Sequence, residues 1–229
     1  WCAKECRGLN DLHYLTRVNS VLGLTYMDLR KLDAARDALE ASVAGLRGTA
    51  DELGLSVSLG NLALVERKAG NVLQAEALLL EALACYRRLG RLTDCEHTHG
   101  VLGAVYLVRG LYTECLEHFT RTLELAEAFA SRDTLPWALN DLGCALGQMG
   151  RLDEAAEHLQ RATALGEEMN KPRVAVVTAI NRLDLMLVQG DLDAATALAE
   201  DLDRQPWFQR VGYRGVLQLQ TGELARRKG

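Results

Sequence analysis

The sequence predicts an all-α protein built of stacked helical pairs, and three observations predict it. The first is repetition: "YMDLRKLDAARDAL" (26–39), "ERKAGNVLQAEALL" (66–79), "YLVRGLYTECLEHF" (106–119), "LGQMGRLDEAAEHL" (146–159) and "MLVQGDLDAATALA" (186–199) share one grammar of large, small and turn residues. Aligned on the turn they give Arg30, Gly70, Gly110, Gly150 and Gly190, forty residues apart each time. A fixed period of roughly 20 to 50 residues marks stacked units, none of which buries its apolar face without its neighbours. The second is composition: of 229 residues 48% are hydrophobic, Leu and Ala abound, and there are three prolines, which favours helices over strands. The third is the phase of the apolar positions within each unit.

Each element follows in order. Eight residues before the turn stand Leu22, Leu62, Leu102 and Leu142, followed by Gly23, Ala63, Gly103 and Gly143, small residues that let two helices approach closely. Five residues after the turn come Ala35, Ala75, Cys115, Ala155 and Ala195, and four further on Leu39, Leu79, Phe119, Leu159 and Ala199. The i, i+3 and i+4 spacing makes one apolar stripe on a helix before the turn and one on a helix after it. The turn glycine reads as the residue that ends the first helix in a left-handed conformation, which costs a residue with a Cβ about 1 kcal/mol. Arg30 is therefore expected to carry slight strain or to use another cap. "RLDEAAEHL" and "DLDAATALA" place acids at the start of the second helix, where the dipole favours them.

The period sets the boundaries: units at 11–50, 51–90, 91–130, 131–170 and 171–206, with Pro136, Pro172 and Pro206 at or near the starts of first helices, where proline is tolerated. Residues 1–10 read as the tail of a second helix and 208–229 as a final first helix. The chain thus reads as one stretch of a longer array.

Composition narrows the function classes. The net charge is −5 with Lys and Arg scattered, so no basic stripe is available to a phosphate backbone, and no direct nucleic-acid partner is expected. No apolar run approaches the ~20 residues that span a bilayer, and "WCAKECRGLN" lacks a signal-peptide pattern. A soluble, cytoplasmic chain with no membrane partner is the expectation. The six cysteines form no framework and read as reduced thiols. Cys2 and Cys6 lie one turn apart, but no second close pair completes a metal site. In "CEHTH" (95–99) the i, i+2 spacing turns His97 and His99 about 200° apart, so they cannot share an ion, and His99 reads as packing. Without paired carboxylates, a phosphate loop or a nucleophile triad, neither enzyme activity nor a cofactor is expected.

"VLGAVYLVRGLYTECLEHFTRTLEL" (101–125) follows the pattern LGxxYxxxGxxxxAxxxFxxAL closely, and in this the chain resembles the tetratricopeptide-repeat family along nearly its whole length. Family repeats usually have 34 residues, so forty implies roughly one added turn per helix. Such long repeats are similar to those of bacterial signal-transduction ATPase regulators and of the kinesin light chain and Pins scaffolds. The resemblance implies an α-solenoid, a right-handed superhelix of antiparallel helix pairs whose first helices line the inner wall.

The family's ligand contacts, counted with the turn glycine as position 15, usually fall at positions 2, 5, 6, 9, 12 and 13. Carried onto this chain they give Arg17, Ser20, Val21, Met27 and Asp28, then Asn61, Arg67 and Lys68, then His97 and Val101, then Trp137, Asn140, Asp141 and Gln148, and last Asn181 and Asp184. Asparagine recurs at or beside position 6, and an amide that donates and accepts at once suits an extended peptide backbone. The chaperone-binding carboxylate clamp is disfavoured, because Ser20 and Leu24 occupy two of its places. The expected function is a protein- or peptide-binding module, the sensor or docking arm of a larger bacterial regulatory protein. The alternative is a structural scaffold that self-associates or spaces its neighbours.

Overall fold

A computed structural model describes residues 12–205, 221–222 and 225–226, and every element assigned among them is a helix. The order is α1 (Leu12–Asp28), α2 (Leu32–Leu46), α3 (Glu52–Ala69), α4 (Val72–Arg88), α5 (Leu92–Val108), α6 (Tyr112–Ala128), α7 (Leu135–Gln148), α8 (Leu152–Glu168), α9 (Pro172–Gln189) and α10 (Leu192–Arg204). The expected half-unit at 1–10, Cys2, Cys6, Pro206 and, apart from 221–222 and 225–226, the final helix at 208–229 lie outside the described residues.

The chain divides into two compact units at Leu111, inside the third forty-residue period. In the first, α1 packs on α2, α2 on α3, α3 on α4, α4 on α5, and α1 also touches α3. In the second the same logic joins α6 to α7, α7 to α8, α8 to α9 and α9 to α10, with α7 also against α9. Pro136 and Pro172 stand in the first turns of α7 and α9, where a missing N–H donor costs nothing.

Helices stop where a left-handed residue lets the chain fold back on the last turn. Gly70, Gly110, Gly150 and Gly190 have φ between 70° and 87°. The following N–H reaches back five residues, Asn71 to the Glu66 carbonyl at 2.8 Å and Arg151 to the Leu146 carbonyl at 3.0 Å, which satisfies a carbonyl the helix leaves open. Arg30 makes the same closure at φ 59°, with Lys31 bonded to the Tyr26 carbonyl, so it keeps the cap and accepts the strain. The same turn recurs between units at Gly90, Ala130 and Asn170, of which the forty-residue reading did not single out Ala130 and Asn170.

The small and large positions interlock as their spacing implies. Ala35, Ala75, Cys115, Ala155 and Ala195 are all fully buried, and Leu39, Leu79, Phe119 and Leu159 nearly so. A Cβ on Gly23 would lie 2.4 Å from Leu39 Cγ, and one on Gly143 2.8 Å from Leu159 Cγ and 3.2 Å from the Ala155 carbonyl. Glycine at these places is therefore a condition of helix contact.

Two polar networks tie neighbouring pairs in the first unit. The hydroxyls of Ser20, Ser42 and Ser58, one each from α1, α2 and α3, form a triangle with sides of 2.9–3.0 Å, and Ser42 also donates to the Thr16 carbonyl at 3.0 Å. Three protons serve four contacts, which favours alignment of all three helices at once. Nearby, the fully buried Glu66 accepts from Arg36 Nε at 2.5 Å, Arg36 Nη2 at 3.3 Å and Asn71 Nδ2 at 2.6 Å. Its charge is matched on both oxygens, which a buried carboxylate requires.

Two measurements check this account. Gly143→Ala should destabilise by about 1–3 kcal/mol through the clash with Leu159, while Gly60→Ala in α3, with nothing within 4 Å of its Cβ, should stabilise by about 0.5–1 kcal/mol. Opposite shifts in urea midpoint are expected, and equal ones would refute the interlock. Ala130→Gly should relieve left-handed strain at φ 48° and raise stability by up to about 1 kcal/mol in the same assay.

Candidate functional site

Within each unit a groove runs between successive first helices, and the small residues required for packing shape it. In the second unit a cavity of ≈ 280 Å³ opens between α7 and α9, lined by Gly143, Cys144, Gly147, Gln148, Leu159, Asn181, Asp184, Leu185 and Val188. In the first unit a cavity of ≈ 200 Å³ lies between α3 and α5, bounded among others by Gly60, Asn61, Asp94, His97 and Val101.

The second groove carries a hydrogen-bond relay. Asn181 Nδ2 donates to Asn140 Oδ1 at 2.7 Å, and Asn140 Nδ2 donates to Asp141 Oδ1 at 3.2 Å. Asn140 is itself buried, its amide spent at both ends, rather than open on a solvated wall. Burial pushes the Asp141 carboxyl up to about 6, against the opposing hydrogen bond from Asn140. Among the described residues it takes part in no ion pair. Burial first, and then the charges of Asp141 and Asp184, pushes the Cys144 thiol up to about 12. Cys115 rises to about 11 from burial and Asp141. Both thiols therefore stay protonated near neutrality and offer no thiolate.

The structure brings together some of the residues carried over from the family pattern and separates others. Asn61 and His97 share the α3–α5 cavity, Asn181, Asp184 and Gln148 share the α7–α9 cavity, and Asn140 and Asp141 stand behind the latter. Arg67 is partly buried, and its Nε has no hydrogen-bond partner. Lys68 borders a separate cavity with Met27, Asp28, Arg30 and Leu32, away from Asn61. Arg17 is exposed and Trp137 partly buried, neither lining a cavity named above. His99 is buried, with Arg87 Nη2 3.3 Å from its Nε2, while His97 is exposed, so the two point apart. Gly60, Cys144 and Gly147 were not among the residues singled out, since they carry little or no side-chain polarity. Their signal is smallness at the contact positions themselves.

No group of three or more His, Cys, Asp or Glu among the described residues is arranged to hold a metal ion. No helix among them is long and apolar enough to cross a membrane.

Comparison with known proteins gives this geometry its class. Tetratricopeptide-repeat family models match residues 94–168 and 55–89. The chain belongs to the tetratricopeptide-repeat family, a class of stacked helical pairs. The crystal structure of a signal-transduction ATPase with numerous domains from Pyrococcus horikoshii, which has a tetratricopeptide repeat sensor, aligns with TM-score 0.79 at 18% identity, over 90% of this chain and 33% of that one. BtubC from P. vanneervenii aligns with TM-score 0.74 at 16% identity over 89% of each chain. A Rap protein complexed with Competence and Sporulation Factor aligns with TM-score 0.71 at 16% identity, over 95% of this chain and 65% of that one. At such identities the likeness is one of fold. No curated protein sequence matches the chain.

Asp141 gives the site a measurable signature. Because its carboxyl in the fold sits above its ordinary value of 3.8, the folded state holds the proton more tightly, and stability falls as pH rises from about 4 through about 6. Asp141→Asn should remove that cost, on the order of 2–3 kcal/mol, above about pH 6 and have little effect below about pH 4. Thermal melts of both proteins across this range test it, and a pH-independent difference would contradict the burial cause.

Proposed function

We propose that the chain is a protein-interaction module that holds an extended or helical segment of a partner along its first-helix faces, as the sensor or docking arm of a larger regulatory protein. The observation that carries this reading is the α7–α9 groove, where amide and carboxylate groups border a cavity with apolar sides. Such a lining combines hydrogen bonds for a backbone with pockets for alternate side chains. Val21, Val57 and Val188 are well exposed on α1, α3 and α9 and add apolar contact surface to those helices. The fold neighbours support the role by analogy: one carries this kind of repeat as a sensor in a chain about three times as long, and another is complexed with Competence and Sporulation Factor.

The two faces differ in charge. In the second unit Asp184 lines the groove and Asp141 stands behind it, so a segment with a basic side chain suits that face, while Arg17 and Lys68 are exposed cations of the first unit. The amides to test are Asn61 and Asn181, since both line cavities while Asn140 is buried. Twelve-residue peptides selected by display against the intact chain would be titrated against wild type and against the single variants Asn61→Ala and Asn181→Ala. Each lost contact is worth about 0.5–1.5 kcal/mol, so a peptide held in the groove concerned should bind about two- to tenfold more weakly at unchanged melting temperature. Unchanged affinity in both folded variants would move the binding site off these faces.

A further inference from the structure

The relay from Asn181 through Asn140 to Asp141 has a direction, and the charge on Asp141 sets it. An ionised carboxylate can only accept, so Asn140 must turn Nδ2 toward it. Its Oδ1 is then the atom left for Asn181, which must answer with Nδ2. The carbonyl oxygen of Asn181 remains unspent, and Asn181 lines the cavity together with Asp184. We propose that the α7–α9 groove receives one lysine or arginine side chain of the bound segment, and that the charge state of Asp141 controls its affinity by setting which end of the Asn181 amide faces the cavity.

This rests on the segment-binding reading and adds the ligand's chemistry and its control. With Asp141 ionised, the groove offers the Asn181 carbonyl and the Asp184 carboxylate, two acceptors suited to a guanidinium or ammonium group. Leu185 and Val188 provide apolar surface for the aliphatic stem. A protonated Asp141 no longer obliges Asn140 to donate to it, because its hydroxyl can itself donate. Asn140 is then free to turn Oδ1 to that hydroxyl and Nδ2 to Asn181, whose own Oδ1 accepts, and in this arrangement an N–H₂ donor faces the cavity and opposes a cation. The groups around Asp141 permit this. Cys115 from α6 and Cys144 on α7 stay protonated, α8 offers Ala155 and Leu159 to this part of α7, and α9 contributes Asp184. Since burial pushes the Asp141 carboxyl up to about 6, the reversal falls near that pH.

The test has a ligand-free arm and a ligand arm. In the first, the side-chain NH₂ resonances of Asn140 and Asn181 are followed by NMR from about pH 4.5 to about pH 8 in wild type and Asp141→Asn. Both pairs should titrate together with a midpoint near 6 in wild type and lose that step in the variant. In the second, the acetylated and amidated tripeptides Ala-Arg-Ala and Ala-citrulline-Ala, the latter a neutral isostere of the former, are titrated at about pH 7.5 and about pH 5. The arginine peptide should bind at least about fivefold more tightly at the higher pH, and that preference should fall at the lower pH in wild type but hold constant in Asp141→Asn. Flat amide resonances would overturn the relay whatever binds. A titrating relay with equal affinity for both peptides would overturn the ligand class. The segment-binding reading fails differently, when selected peptides ignore the Asn61 and Asn181 substitutions, and the ligand-free arm is indifferent to that result.

Discussion

The fold depends on the close approach of paired helices, and in two of the pairs that approach rests on a leucine fitting where a side chain is missing. Leu39 and Leu159 occupy space that a Cβ on Gly23 or Gly143 would invade, and this close approach fixes the distance between the two helices of a pair. Successive first helices are held apart by that spacing and by the turns that link them, and a groove opens between them. Gly143 and Leu159 belong both to the interlock and to the wall of the α7–α9 cavity, so packing and site share the same atoms. A change made to stabilise one cannot leave the other untouched.

The repeat made the core legible because five imperfect copies average out the noise of each. A single alanine in a helix says little, but Ala35, Ala75, Ala155 and Ala195 in register say that a neighbour lies against them, and all are fully buried. The turns at Ala130 and Asn170 escaped because the left-handed conformation there is imposed by helix length and the back-reaching N–H, not by glycine. Glu66 was equally opaque. A glutamate late in a helix beside Arg67 and Lys68 reads as solvated charge, and only the approach of Arg36 from α2 shows it to be a buried, matched ion.

The candidate site was half legible for a related reason. Family positions pointed to Asn61, Asn140, Asn181, Asp141 and Asp184, but which amides meet depends on the offset between two helices that pack side by side. Asn140 and Asn181 sit 41 residues apart, one more than the period, and that single step places one amide against the other. Had the offset been the period itself, like positions would have lain abreast instead. The cationic positions fared differently: Arg67 and Lys68 are neighbours in sequence, yet Lys68 borders a cavity with Met27 and Arg30 while Arg67 is partly buried.

The fold treats the carboxylates of Glu66 and Asp141 unequally, and that inequality bears on function. Glu66 receives three hydrogen bonds, two of them from a guanidinium, so its burial is compensated within the fold. Asp141 receives one, from a neutral amide that is itself engaged elsewhere. A fold able to match one carboxylate fully has left the other under-compensated beside a cavity, a pattern more common at binding and catalytic sites than in structural cores. A stacked-repeat array can tolerate this, since its stability is a sum of local and nearest-neighbour terms and a cost of a few kcal/mol in one layer is spread over contacts on both sides. The charge at Asp141 thus costs the second unit some stability when nothing is bound, and a ligand that brings a cation to the groove would return part of it as affinity.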